Sequence, residues 1–249
     1  MANDEGAPEN SAQQGSMDRL VGALVSPRAT FASIAARPSW LWPLVLLIVL
    51  NVALTYSYGR RVGWRGFIEK QFARSTRIAA LSPNQRAQAL DRAVRTAPMF
   101  GYGGGTIGTV IVLAVIAGIF VGAFNIIFGT SIRFGASFGI AAHAFLPEVV
   151  RGLLGIVIVL TKPPEGVDLQ NLVASNVGVF LPIDAAQWLR VLAGSLDVFA
   201  FWTLALLAIG YSAAGSSRKV SFGSALAVVI VLWLVYLAGA VGVTAMFTT

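Results

Sequence analysis

Residues 135–161 have the sequence GASFGIAAHAFLPEVVRGLLGIVIVLT, which is apolar and long enough to cross a membrane, and yet contains ionisable side chains. A charged side chain near the middle of a spanning helix costs about 2.5–3.5 kcal/mol on insertion scales, so such residues are retained where they are paired or used. This stretch carries His143, Glu148 and Arg151, together with Pro147. It therefore predicts a membrane span that contains the polar centre of the protein.

The composition of the whole chain is typical of a membrane protein. Of its 249 residues, 56% are hydrophobic and only 12% are charged, whereas soluble domains carry about 25% charged residues. The apolar residues concentrate in runs of about 20, the length of a transmembrane helix. The sequence predicts an all-α polytopic integral membrane protein with five transmembrane helices, at about residues 40–58, 106–128, 135–160, 194–214 and 222–246.

Three segments outside these spans have their own predictions. Residues 1–16 are polar and acidic, which predicts a disordered N-terminal tail. Residues 17–39 alternate apolar residues at helical spacing with arginines, which predicts an interfacial amphipathic segment on the membrane surface or, alternatively, helices packed on the bundle. Residues 59–100 are basic and contain the helix start Ser82-Pro83, which predicts an extramembrane helical hairpin.

Several classes of function are disfavoured by composition. The chain has no Cys and one His, which excludes thiolate and multi-His metal sites within one chain. The net charge of +7 comes from basic residues that flank apolar runs, so lipid headgroups explain it without nucleic acid. Residues 135–139 match the G-x-S-x-G pattern, but a nucleophile elbow requires a strand before the serine. We expect no enzymatic activity and no cofactor.

The ionisable residues of the third span form a candidate intramembrane polar cluster with a residue of the fourth. Glu148 and Arg151 are separated by one helical turn and can pair, and Asp197 could reach Arg151 or Arg190. Three interpretations stay open: a structural ion pair, a proton or ion relay, and a substrate contact. Pro147 is predicted to kink or break the helix, which makes it a candidate pivot like the discontinuous helices of transporters. The cluster comprises His143, Glu148, Arg151 and Asp197.

The second span carries residues suited to close helix packing. Gly118 and Gly122 form a G-x-x-x-G pattern, which allows two helix backbones to approach each other within one chain or between two chains. Asn125 is a candidate for an interhelical hydrogen bond. These are predictions of packing rather than of chemistry.

The order of segments resembles a known family. The chain reads LVSPRATFASI at residues 24–34, RPSWLWPL at residues 37–44 and LDVFAFW at residues 196–202. Together with five predicted spans and long gaps only after the first and third, this resembles the bacterial branch of the Yip family, the Ypt/Rab-interacting-protein-like membrane domain. The resemblance implies a five-helix membrane domain over residues 40–246, an N-terminus in the cytoplasm and no catalytic residue. Eukaryotic members resemble adaptors for prenylated small GTPases, but the Asp-Leu-x-Gly-Pro signature before their first span is absent here, so GTPase binding is not carried over.

Two functions follow as expectations. The first is a non-enzymatic integral membrane scaffold or accessory subunit of the bacterial inner membrane, in contact with the lipid bilayer and with a membrane-protein partner or a second copy. The alternative is a small transporter or permease subunit with a polar path around the third span. Orientation stays open, because the distribution of basic residues favours an external N-terminus whereas the resemblance implies an internal one.

Overall fold

The computed structural model describes residues 15–73, 75–182 and 185–248, and regular structure in these ranges is helical. This confirms the all-α prediction. The predicted tail lies outside the described residues apart from Gly15 and Ser16. The α-helices are α1 (Ser16–Val25), α2 (Pro27–Ala36), α3 (Leu41–Arg61), α4 (Trp64–Ala73), α5 (Thr76–Ala79), α6 (Pro83–Gly103), α7 (Thr109–Phe128), α8 (Phe134–Ala144), α9 (Pro147–Thr161), α10 (Gln187–Ser195), α11 (Val198–Ala214) and α12 (Phe222–Thr248).

Within the described residues, four helical stretches are long and apolar enough to cross a membrane: Leu41–Arg61, Pro83–Phe128, Phe134–Thr161 and Phe222–Met246. The predicted fourth span, residues 194–214, differs from this. The helix is interrupted at Leu196 and Asp197, so α11 has 17 residues and begins at Val198. At 1.5 Å per residue it is about 25 Å long, slightly less than a bilayer core of about 30 Å.

The predicted hairpin is continuous with the second span. Ser82 caps α6 because its hydroxyl accepts a hydrogen bond from the Gln85 amide, and Pro83 occupies the first turn as expected. From there the helix runs through a π-helical segment, Gly104–Gly108, directly into α7. Gly105 allows this segment to pack closely on α3, since a Cβ there would lie 3.2 Å from the Cβ of Asn51. The second helix of the hairpin is therefore a direct continuation of a spanning helix.

The third span breaks directly before Pro147. α8 ends at Ala144, Phe145 and Leu146 form a turn, and Pro147 is the first residue of α9. A proline has no N–H to donate and its ring collides with the preceding turn, so the helix restarts there. The helix is broken at the residue where the sequence predicts a kink or break, Pro147. That Pro147 acts as a pivot stays a prediction.

The N-terminal segment packs on the bundle. α2 lies against α8 and α11, and its Phe31 and Ile34 are fully buried there. This corresponds to the alternative of helices packed on the bundle. The α1 side chains Met17, Val21 and Val25 remain exposed on the outer side, so contact of α1 with the membrane surface stays a prediction.

The centre of the bundle is α11, which packs on α2, α8, α9 and α12. Its Tyr211 is fully buried and stacks against both Phe120 and Phe124 of α7, with ring centroids 4.7 Å from each. The Tyr211 hydroxyl is hydrogen-bonded to Ser137 of α8, which also donates to the Ala117 carbonyl of α7 at 2.8 Å. These contacts fix α7, α8 and α11 at one end of the bundle.

Candidate functional site

Glu148 and Arg151 form an ion pair near the start of α9. The Arg151 guanidinium lies 2.8 Å from a Glu148 carboxylate oxygen. The helix start at Pro147 places Glu148 at the N-terminal end of α9, where the helix dipole favours a negative charge. Its side chain is 25% exposed and that of Arg151 is 47% exposed. The pair lies near the middle of the stretch Phe134–Thr161, and Arg151 is open on one side.

The ion pair faces a cleft of about 1050 Å³. α3 forms the back of the cleft, and α7 and α9 form two of its sides. α7 packs on α8, whereas α9 packs on α3 and α11, and the cleft lies between α7 and α9. Along α3 the cleft extends from Leu47 to Tyr58, about 16 Å at the rise of an α-helix. Its walls are mostly apolar. The polar side chains that line it are Asn51, Thr55, Thr96, Thr109, Glu148, Arg151 and Asn176.

The cleft is bounded at both ends by packed aromatic and aliphatic side chains. Trp64 and Phe67 of α4 line the end near the hairpin and contact each other with Tyr58. At the other end, Leu47 and Leu113 belong to a buried cluster that includes Phe138 of α8. The polar lining therefore does not continue through α8 to the opposite side of the bundle.

His143 does not join the ion pair. It is fully buried on α8, its Nδ1 lies 2.8 Å from the Gly139 carbonyl oxygen, and its Nε2 has no hydrogen-bond partner among the described residues. It lines a separate cavity of about 240 Å³ beside residues 38–43. The helix break before Pro147 causes this separation, because His143 on α8 and the ion pair on α9 do not share a face of one continuous helix.

Asp197 caps a helix instead of pairing with Arg151. One carboxylate oxygen accepts hydrogen bonds from the Phe199 and Ala200 amides at 2.8 and 3.3 Å, and the other accepts one from the Ser175 hydroxyl. Asn176 and Asp197 also form an isolated antiparallel bridge. Asp197 is close enough to Glu148 to interact with it electrostatically. It therefore ties the segment that follows α9 to the start of α11, next to the cleft.

A comparison of the chain with protein-family models gives a match. A model described as the Yip1 domain matches residues 21–243, nearly the whole chain. The chain belongs to the Yip1 domain family. This confirms the family that the sequence resembles, although it does not distinguish a bacterial branch. No curated protein and no solved structure gives a significant match.

Within this Yip1 domain, the candidate packing residues Gly118, Gly122 and Asn125 of α7 do not contact another helix in the way the sequence predicts. A Cβ added at Gly118 or at Gly122 would meet no atom within 4 Å outside its own helix. Close packing of this pattern against other described residues of the chain is therefore not found, and contact with a second chain stays a prediction. Asn125 bonds to the connection after α7 rather than to another helix, donating to the Ile132 carbonyl and accepting from Thr130 and the Ile132 amide.

Sequence reasoning missed most of the cleft of the Yip1 domain. Asn51 carried a usable signal, because it is a lone amide within the apolar run of α3; its side chain donates to the Leu47 carbonyl at 2.9 Å and lines the cleft. Trp64, Phe67 and Asn176 carried none, since they lie outside the spans. Among the described residues, no group of three His, Asp or Glu side chains is placed to hold a metal ion.

A double-mutant cycle measures how strongly Glu148 and Arg151 depend on each other. We expect Glu148→Gln and Arg151→Met each to lower the free energy of unfolding by about 1–2 kcal/mol, because each leaves an uncompensated charge in a low-dielectric site. The double variant should be more stable than either single variant. Thermal unfolding of the purified protein in nanodiscs provides the measurement.

The exposed pair Arg65–Glu69 on α4 is the matched control. Its nearest charged atoms are 3.8 Å apart and both side chains are more than half exposed, so its coupling should be about 0.2–0.5 kcal/mol. Additive effects of Glu148→Gln and Arg151→Met would contradict the structural pairing.

Proposed function

We propose that this Yip1 domain protein is a non-enzymatic scaffold or accessory subunit of the bacterial inner membrane. The observation that supports the proposal is the hairpin of α4 and α6, which presents basic side chains on a rigid support. Arg86, Arg92 and Arg95 are exposed on α6 and have no ion-pair partner among the described residues. The two acidic residues of the hairpin, Glu69 and Asp91, both contact Arg65 instead.

Tertiary contacts hold the hairpin in place. Arg65 donates to Asp91 at 2.9 Å, which joins α4 to α6. Lys70 donates to the carbonyl oxygens of Glu165 and Val167, which joins α4 to the segment after α9. Because α6 is also continuous with α7, a partner would meet a preformed surface, and less ordering entropy would oppose binding. An acidic face on a membrane-protein partner has the complementary charge.

Photo-crosslinking in intact membranes tests the scaffold proposal. A photoreactive amino acid at exposed Gln88 of α6 should give one discrete protein adduct, whereas the same group at Ser224, near the start of α12, should not. Replacing Arg86, Arg92 and Arg95 with Gln should reduce the Gln88 adduct about tenfold, since rim charges contribute to encounter and affinity. Adducts with lipid only, or an adduct unaffected by the three substitutions, would contradict a protein partner at this surface.

We also propose that α11 crosses the membrane as a fifth span. It is mostly apolar, and it packs lengthwise on α12, which is long enough to cross. Its deficit of about 5 Å relative to the bilayer core is of a size that local thinning accommodates.

A small transporter or permease subunit is the second candidate, and the cleft with its ion pair is the observation that favours it. The packed cluster of Leu47, Leu113 and Phe138 would have to open for a path to continue. Flux in liposomes distinguishes the candidates, because Glu148→Gln should remove transport through the cleft and leave a scaffold's crosslinks unchanged.

A further inference from the structure

We propose that the cleft of about 1050 Å³ binds one zwitterionic phospholipid, with its phosphate on Arg151 and its ammonium group on Glu148. The inference goes beyond the scaffold role and rests on different residues, since the hairpin arginines take no part in it.

The first argument is that Arg151 is incompletely satisfied. A guanidinium has five N–H donors in a planar fork that matches phosphate oxygens. Within the described residues, one Arg151 nitrogen contacts Glu148, and the side chain remains 47% exposed at the wall of the cleft. A cationic side chain that is partly unpaired within the membrane carries a free-energy cost unless a polar group binds it. A lipid phosphate supplies that group.

The second argument is the neutrality of the pair. An anion bound at Arg151 would compete with Glu148 and add a negative charge to a low-dielectric site, and a cation bound at Glu148 would compete with Arg151 and add a positive one. The Asp197 carboxylate is bound by neutral donors, Ser175 and the first amides of α11, so it contributes the same charge whichever ligand occupies the cleft. A zwitterion gives each member of the pair a partner of opposite charge and leaves the net charge of the site unchanged.

The third argument is the apolar surroundings of the cleft. The lining is mostly hydrocarbon, and its volume suffices for a ligand of drug size or larger. Next to Arg151, α9 carries an exposed aliphatic side chain, and α7 carries two on the other side of the cleft. Acyl chains can lie on these surfaces while the headgroup enters the cleft. These exposed aliphatic side chains are Val112 and Val115 of α7 and Leu154 of α9.

Native mass spectrometry of the full chain provides the test. The protein is equilibrated with equal amounts of phosphatidylethanolamine and phosphatidylglycerol, and the lipid that survives mild delipidation is counted. The unaltered protein should keep one phosphatidylethanolamine in preference to phosphatidylglycerol. Arg151→Met should reduce that retention about tenfold, the equivalent of one good charged contact. Glu148→Gln should shift the preference to phosphatidylglycerol, because the arginine then lacks a counter-charge.

Matched variants separate a built site from general attraction between charges. Arg65→Met and Glu69→Gln alter an exposed ion pair of the same composition and should leave the retained lipid unchanged. The exchanged pair Glu148→Arg with Arg151→Glu retains both charges and should retain phosphatidylethanolamine even if a single variant unfolds. Equal loss from the Arg65 and Arg151 variants, no lipid preference in the unaltered protein, or complete loss of lipid on mild delipidation, as expected of a water-filled cleft, would each overturn the proposal.

Discussion

Replacing Asp197 with Ala is expected to lower the free energy of unfolding by about 2–4 kcal/mol. The carboxylate caps α11 through two backbone amides, and loss of such a cap costs about 0.5–2 kcal/mol. The carboxylate also accepts a hydrogen bond from the Ser175 hydroxyl. In the Ala variant this hydroxyl would lose that acceptor, and a donor left unsatisfied costs about 1–3 kcal/mol. Asp197 is almost fully buried, so water cannot easily replace either contact.

Thermal unfolding in nanodiscs measures this effect, and Ser82→Ala is its control. Ser82 caps α6 with a comparable hydrogen bond but is exposed, so its loss should cost about 0.5–1 kcal/mol. Asp197→Asn should fall between the unaltered protein and Asp197→Ala, since an amide oxygen can still cap the helix. An Asp197→Ala variant no less stable than Ser82→Ala would show that the cap does not hold α11.

Replacing Gly210 with Ala is expected to destabilise the protein by about 1–3 kcal/mol, although alanine is the better helix former by about 1 kcal/mol. A Cβ at this position would lie 2.4 Å from Cγ2 of Ile140 and 3.0 Å from Cδ1 of Phe31. Both neighbours are fully buried, and the χ1 angle of the β-branched Ile140 is stiff, so neither can yield cheaply.

The control for Gly210 is Gly239 in α12, where an added Cβ would meet no atom within 4 Å. Gly239→Ala should be neutral or stabilising by up to about 1 kcal/mol, because only helix propensity changes there. The two substitutions should thus have opposite signs in the same unfolding assay. A Gly210→Ala variant as stable as Gly239→Ala would mean that α2, α8 and α11 do not meet as closely as the structure shows.

Much of the secondary structure follows from local rules that the sequence displays. Apolar runs longer than a soluble helix requires predict α3, α7 and α12, because only membrane lipid favours so many consecutive hydrophobic side chains. Proline at residues 27, 83 and 147 marks three helix starts, since its fixed φ and missing N–H suit the first turn alone. Glu148 and Arg151 pair because a single helical turn separates them.

The residues predicted to form one polar cluster show which contacts local rules do not predict. His143 and Glu148 are five residues apart, yet the helix break directs them to different cavities. Asp197 accepts a hydrogen bond from Ser175, which is 22 residues earlier in the chain. No periodicity in the sequence indicates this contact. Asn125 is predicted to bond to another helix, but it donates a hydrogen bond to Ile132 in the connection that follows α7.

Hydropathy, helix starts and motif order are properties of neighbouring residues, and they are enough to establish an all-helical, membrane-spanning member of the Yip1 domain family. Packing between distant segments determines the rest: α7 and α9 separate beyond the break, the ion pair faces the resulting cleft, and α2 fills the bundle beside α11. These features depend on how side chains from distant parts of the chain fit together, and close packing in a bundle is a property of shapes that the linear order of residues does not contain.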